Sequence, residues 1–154
     1  MAPVQALYLM RSPAGAGLPT RISEFAWAVR DLVRPLGALR LGMPCQLMGT
    51  GRAFPWAVIA GAPVASGHIV EDMCLGPDLA EAGTPPRFCP DALVTSTLAA
   101  EADGLATQRT RWEHGHIGVI AERAPRDAEG AGRRRRVLAA MVLYLCVPRW
   151  PRWC

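Results

Sequence analysis

Two groups of polar side chains have types and spacings that could support chemistry. The first is the acidic pair Glu71-Asp72, which follows the loop GAPVASGH and begins a segment with helical character. A carboxylate at the start of a helix is stabilised by the positive end of the helix dipole, and beside a cleft it can act as a general base. The same pair can also do no more than stabilise the helix. The residues alone leave both interpretations open.

The second group is Gln108, Arg111 and Trp112, in the segment TQRTRW. In the helix predicted over residues 107–121, these residues occupy positions i, i+3 and i+4, so they share one face. An arginine guanidinium binds phosphate oxygens in a fork, and an indole ring offers a flat apolar wall to a sugar. An amphipathic helix with a half-buried tryptophan is the alternative explanation.

Together these segments resemble the second half of a family-2 glycosyltransferase catalytic domain, over roughly residues 4–120. In membrane-bound members, such as the cellulose synthase and ceramide glucosyltransferase groups, a T/V-E-D motif begins a helix and a QxxRW motif follows on a later helix. Here the motifs read VED at 70–72 and QRTRW at 108–112. The strand around GTG at 49–51 resembles the family's central strand beside the acceptor site. QxxRW is the most specific part of the resemblance.

The resemblance implies a role for each matched residue. Asp72 matches the catalytic base, which would take the proton from the acceptor hydroxyl as that hydroxyl attacks the anomeric carbon. Glu71 would be a neighbouring polar group that orients the acceptor. Gln108 and Arg111 match positions that hold the nucleotide diphosphate and stabilise charge on the leaving group. Trp112 matches the residue that stacks on the acceptor sugar or lines its entrance.

The implied reaction is an inverting, single in-line displacement. It would transfer a hexose from a nucleotide sugar, which we expect to be UDP-linked, to a lipid or polysaccharide acceptor. Members of the family bind Mg²⁺ or Mn²⁺ through a D-x-D motif, but this sequence contains no Asp-x-Asp, so we assign no metal ligands. We therefore expect a fragment of a working transferase that is inactive alone. The alternative is a catalytically inactive, membrane-associated remnant without donor binding.

The C-terminal region combines positive charge with hydrophobicity. Four arginines at 133–136 precede an apolar segment at 137–147, and PRWPRWC follows. A helix of that length covers roughly half of a ~30 Å hydrocarbon core, so we predict a truncated transmembrane helix or an interfacial anchor over residues 137–154. Basic residues flank membrane helices on the cytoplasmic side, which places the protein at that face of the membrane. An ordinary terminal helix is the alternative.

The distribution of charge argues against a nucleic-acid-binding domain. The chain has 17 basic and 13 acidic side chains, and six of the basic ones lie at or beyond position 133. The rest of the chain therefore lacks the basic face that nucleic acids require. A metal-binding module built on His114 and His116 is a distant third class, because residues at i and i+2 of a helix face apart.

The elements expected to position these groups form an α/β fold. We predict a strand at 3–10, a helix capped by Thr20 and ended by Pro35 and Gly37, a strand broken by glycines at 46–54, and a helix at 70–82 ended by Gly83. Pro77 should kink or restart that last helix. Two short strands follow, at 87–89 and 92–97.

The predicted architecture is a mixed sheet flanked by helices, the acceptor-side half of a GT-A type domain. This partial catalytic domain covers residues 1–122, a basic linker covers 123–136, and the truncated helix follows. The GTG segment at 49–51 lacks the third glycine of a dinucleotide fingerprint, so we interpret its glycines as places where other atoms approach the backbone closely. Five cysteines without a CxxC pair predict reduced, mostly buried thiols.

Overall fold

The computed structural model describes residues 1–61 and 71–98, together with Ala139 and Met141. Its elements are numbered in chain order, and one π-helical turn is named by its residues. They are β1 Val4–Arg11, α1 Leu18–Ala28, the π-helical turn Val29–Val33, α2 Arg34–Arg40, β2 Arg52–Ala53, α3 Trp56–Ile59, α4 Glu71–Glu81 and β3 Arg87–Thr97.

The three strands form one mixed sheet in the order β2-β1-β3. β1 runs parallel to β3 and antiparallel to β2. The chain between β1 and β3 passes through helices, as a parallel pair requires. A mixed sheet accompanied by helices confirms the coarser expectation of an α/β arrangement. Within the described part of the chain, no helix has the length and hydrophobicity needed to cross a membrane.

β3 is one strand of eleven residues, although we expected two. Val4–Ala6 of β1 pair with Arg87–Cys89, and Leu7–Arg11 pair with Leu93–Thr97. Residues 90–92 therefore fall outside the ladder and form an irregularity in the strand. Pro90 lies in this irregularity because proline has no N–H to give to a ladder, so a bulge accommodates it while the strand continues on either side.

The first helical segment is longer than predicted, and the predicted stop at Pro35 and Gly37 is wrong. α1, the π-helical turn and α2 follow one another without a break. A proline inside an α-helix clashes with the carbonyl four residues earlier. The π-helical turn, closed by the Arg34 N–H bonding to the Val29 carbonyl, widens the helix just before Pro35 and makes room for its ring.

Both ends of this segment depend on glycines that the sequence patterns did not single out. Gly17 is the N-cap of α1 and no side chain caps the helix, so the expected role of Thr20 is wrong. At the other end Gly42 has φ +66° and its N–H bonds to the Leu39 carbonyl. The Met43 N–H reaches the Ala38 carbonyl at 2.8 Å, which completes a Schellman motif.

α4 spans Glu71–Glu81, which confirms the predicted helix and its end at Gly83. Gly83 has φ +83°, and the Thr84 N–H bonds to the Leu79 carbonyl at 2.8 Å, again a Schellman motif. Pro77 lies inside this helix and is buried. A restart at Pro77 was therefore a wrong expectation, since the same helix continues on both sides of it.

The described apolar core lies between α4 and the chain that precedes β2. The predicted strand at 46–54 is reduced to β2, and the residues before it supply core side chains instead. One cluster joins Leu47 with Leu75 and Leu79 of α4, and the half-buried Phe54, Val58 and Ile59 pack against it. Burying three leucines at about 1.5–3 kcal/mol each is what fixes α4 against this segment.

The cysteines in the described residues, Cys45, Cys74 and Cys89, are free thiols. Burial raises the pKa of the Cys45 thiol to about 12. This thiol is therefore protonated at neutral pH and behaves as a small apolar group, because only the thiolate is a good nucleophile.

Candidate functional site

The acidic pair occupies the first two positions of α4, because the helix begins at Glu71. Leu75 follows Glu71 by one turn, and Gly76 follows Asp72 by one turn. Residues four positions apart lie on the same face of a helix. The packing of the second turn of α4 therefore determines where the positions of the acidic pair lie.

That second turn is held on two sides. Leu75 packs against Leu47, as described above. Gly76 is buried, and a Cβ added there would come within 2.9 Å of the Cε atom of Met141 and 3.5 Å of the Gln46 Oε1 atom. A side chain at this position would therefore push aside the flexible end of the Met141 side chain. At Gly76, α4 thus lies beside the chain at Gln46.

Within the C-terminal segment predicted over 137–154, Met141 is the residue for which the structure describes packing contacts. Its side chain is 1% exposed and packs with Ala80 of α4, whereas Ala139 is exposed. The rest of that segment, the linker at 123–136 and the predicted helix at 107–121 lie outside the described residues. Gln108, Arg111, Trp112, His114 and His116 belong to the undescribed part.

The second feature of the site is the loop before β2, which a buried glutamine holds in place. Gln5 of β1 is 0% exposed. Its amide nitrogen donates to the carbonyl oxygens of Thr50 at 2.9 Å and of Ala6 at 3.0 Å. Its Oε1 atom accepts the backbone N–H of Met48 at 2.8 Å. One side chain therefore fixes the backbone of the loop on both sides of Gly49.

Gly51 ends this loop in a conformation that only glycine adopts easily. Its φ is +68°, and a Cβ would meet the Val94 Cγ2 atom at 3.3 Å and the Ala6 Cβ atom at 3.4 Å. Its carbonyl accepts the Ala6 N–H at 2.8 Å. This confirms the interpretation of Gly51 as a place of close backbone approach, where the loop passes directly over β1 and β3.

Replacing Gly51 with alanine is expected to lower the free energy of unfolding by about 2 kcal/mol, through left-handed strain and the crowding against Val94. Gly83→Ala is the matched control, because Gly83 has φ +83° but nothing within 4 Å of an added Cβ. It should cost about 1 kcal/mol. Urea unfolding of both variants measures the difference. Equal losses of unfolding free energy in the two variants would show that the crowding at Gly51 does not contribute to stability.

The loop that follows β1 is tied to α1 by a polar cluster. Glu24 accepts the Ser12 backbone N–H at 3.0 Å, and Arg11 lies 3.4 Å from the same carboxylate. Hydrogen bonds from the side chain and backbone of Ser12, together with Arg11, lower the pKa of Glu24. The Glu24 carboxylate is therefore ionised and bound to Ser12 and Arg11, and these contacts attach α1 to the end of β1.

Gln5 was not identified from the sequence as a site residue. The signal was present, because Gln5 is the one strongly polar side chain in the otherwise apolar run PVQALYLM. A buried polar group of this kind needs hydrogen-bond partners from elsewhere in the fold. The sequence does not say which backbone groups those partners are.

The described residues also include no group of three or more His, Cys, Asp or Glu side chains placed to hold a metal ion.

Comparisons with known proteins return nothing at the level of family, sequence or structure: no family model, no curated protein and no solved structure matches this chain.

Proposed function

We propose that this chain is the acceptor-side part of an inverting, family-2-like glycosyltransferase domain of the GT-A type, with Asp72 as the catalytic base. The observation that carries the proposal is the start of α4. A helix begins at the acidic pair of the VED motif, and its next turn packs on the segment that leads into the GTG loop. The VED segment and the GTG segment, both matched by the resemblance, are thus brought together by the packing of Leu75 on Leu47 and of Gly76 beside Gln46.

The chemistry asked of Asp72 is general-base catalysis. An acceptor hydroxyl becomes a better nucleophile as its proton moves to a carboxylate, and the new glycosidic bond forms as the bond to the nucleotide diphosphate breaks. The first turn of a helix suits this role, because the helix dipole favours the ionised carboxylate that accepts the proton. Glu71, beside it, would orient the acceptor.

The leaving group needs positive charge and hydrogen-bond donors. Gln108 and Arg111 would bind the diphosphate, with the guanidinium forming paired hydrogen bonds to its oxygens. Trp112 would stack on the acceptor sugar. The GTG loop would also line this acceptor side. Gln5 and Gly51 hold the backbone of that loop rigid. Rigid placement matters because displacement requires near-attack geometry.

The activity proposed for the parent enzyme is transfer of a hexose from a nucleotide sugar, expected to be UDP-linked, to a lipid or polysaccharide acceptor at the cytoplasmic face of a membrane. The apolar segment at 137–154 would be the beginning of a membrane or interfacial helix. Packing of Met141 beside Gly76 and Ala80 would couple that segment to the catalytic helix.

The diphosphate role is tested by joining the chain to the D-x-D-bearing half of a family-2 transferase and measuring UDP affinity. Arg111→Ala is expected to weaken UDP binding about 10- to 100-fold, the worth of charge-assisted hydrogen bonds. Arg109→Ala is the matched control, because it removes the same charge from the same motif, and in the helix predicted over 107–121 it would lie on a different face from Arg111. Equal affinities for the two variants would refute the phosphate role of Arg111.

The competing function is a catalytically inactive, membrane-associated remnant without donor affinity. The absence of an Asp-x-Asp in the sequence favours it for the 154 residues taken alone. In that case the chain alone does not bind UDP, and any UDP binding by the joined protein comes from the added half and is unchanged in Arg111→Ala. Measurable UDP binding that depends on Arg111 would exclude the remnant.

A further inference from the structure

We propose that α1 and the helical turns after it bind the surface of an anionic lipid bilayer through an exposed apolar stripe. The stripe consists of Leu18, Ile22, Phe25 and Val33, whose exposed fractions are 70%, 50%, 69% and 58%. This inference stands apart from the proposed sugar transfer, because it rests on a different element and requires no nucleotide.

The spacing of these residues places them along one line of the helix. Leu18, Ile22 and Phe25 follow one another at intervals of four and three residues, the spacing of a single helical face. In a regular α-helix, Val33 would be rotated about the helix axis away from that line. The π-helical turn Val29–Val33 winds more slowly and returns it toward the stripe. The stripe is therefore about 22 Å long at ~1.5 Å per residue.

The orientation of α1 is the reverse of that found in an ordinary surface helix. An amphipathic helix normally turns its apolar face to the core. Here α1 contains no fully buried residue, and it is attached to the end of β1 by the polar contact between Glu24 and Ser12. Because the polar residue faces the sheet, the apolar stripe faces outward. A stripe of this size in water is unfavourable unless something covers it.

The charges on this segment select an anionic partner. Glu24 and Asp31 are the acidic residues between positions 18 and 41. The carboxylate of Glu24 is engaged by Ser12 and Arg11, and Asp31 is 0% exposed and paired with Arg30.

The cations on the same segment are placed differently. Arg21, inside the stripe, and Arg40, beyond it, are both exposed. Arg30 lies over the Trp27 ring at 3.6 Å from its centre. The segment thus presents large apolar side chains together with the exposed Arg21 and Arg40, whereas Arg30 is paired with Asp31 and the carboxylate of Glu24 is engaged by Ser12. Helices that lie in the headgroup region of anionic membranes have this composition.

Vesicle flotation of the full chain tests the proposal. We expect binding to vesicles of phosphatidylcholine and phosphatidylglycerol in equal parts, and weaker binding to phosphatidylcholine alone. Phe25→Ser and Ile22→Ser should each lower the partition coefficient by roughly tenfold, the loss expected for one large apolar side chain. Leu93→Ser is the matched control, because Leu93 is a 57% exposed apolar residue on β3, outside the stripe. Its partitioning should equal that of the unmodified chain.

A charge reversal separates the electrostatic part of the binding. Arg21→Glu should weaken binding to the anionic vesicles several-fold and leave binding to phosphatidylcholine unchanged, and high salt should reproduce the loss. Unchanged partitioning of Phe25→Ser and Ile22→Ser would overturn the proposal and assign any membrane binding to another part of the chain.

Two further outcomes would also overturn it. A fall of several degrees in the melting temperature of Phe25→Ser would show that residues of this chain cover the stripe. Dissociation of an oligomer by the same substitution, seen by size-exclusion chromatography, would show that a second copy covers it.

Discussion

Asp72→Asn, in the chain joined to a D-x-D-bearing nucleotide-binding half, is expected to lower kcat for sugar transfer by about 10²- to 10⁴-fold, the usual worth of a positioned general base. An asparagine has nearly the same size and can still accept a hydrogen bond, but it cannot take the acceptor proton. UDP affinity should not change, because Asp72 is proposed to act on the acceptor and not on the donor. The measurement is initial-rate kinetics together with a UDP titration on the same variant.

Glu71→Gln is the matched control for this experiment. It makes the same carboxylate-to-amide change at the neighbouring position, the first residue of α4. Both variants remove one negative charge from the positive end of the helix dipole, so both should lose a similar stability of about 0.3–1 kcal/mol. Only Asp72→Asn should lose most of kcat. If both variants kept the kcat of the unmodified protein, the acidic pair would be left with the helix-stabilising role alone.

Gln5→Met is expected to lower the free energy of unfolding by about 2–4 kcal/mol. Methionine matches the length of glutamine, so the change removes hydrogen bonds without opening a large cavity. The Met48 N–H and the Thr50 carbonyl lose their partners, and an unpaired buried polar group costs about 1–3 kcal/mol. Urea unfolding followed by circular dichroism gives the loss.

Leu7→Met controls for the presence of a methionine on β1. It places the same side chain two residues further along the strand without removing a hydrogen bond, and it should cost less than about 1.5 kcal/mol. If Gln5→Met were no more destabilising than Leu7→Met, the loop around Gly49 would not depend on Gln5. In the joined protein, a loosened loop should also raise KM for the acceptor with little change in UDP affinity.

Local patterns predicted several elements well. The apolar run at 3–10 is β1, and the segment ended by Gly83 is α4. The glycine at the C′ position is a strong local signal, because a left-handed φ there is costly for other residues. The expectation of a mixed sheet with helices is confirmed in its coarser form. The finer identity of that fold, as the acceptor half of a glycosyltransferase domain, stays a proposal.

The errors occurred where tertiary or helical context overrides a local signal. Pro35 was expected to end a helix, and Pro77 to kink or restart one, because each removes a backbone donor. A π-helical turn accommodates the first, and α4 continues through the second. Two strands were expected, at 87–89 and 92–97, but the parallel ladder with β1 resumes beyond Pro90 and makes them one strand. At Pro35 the wider π-helical turn makes room for the ring, and at Pro90 a bulge accommodates a residue that has no N–H to give to the ladder.

The sequence by itself determined the composition of the candidate site: the acidic pair at 71–72 and the QRTRW group at 108–112, with the missing Asp-x-Asp. Motifs are strings of neighbouring residues, so they can be read without a fold. The tertiary structure decided that Gln5 holds the loop before Gly51 and that Gly76 admits Met141. It also decided that the apolar side of α1 faces outward. These contacts join residues far apart in the chain, and the hydrophobic pattern of a helix does not state which face its neighbours will cover.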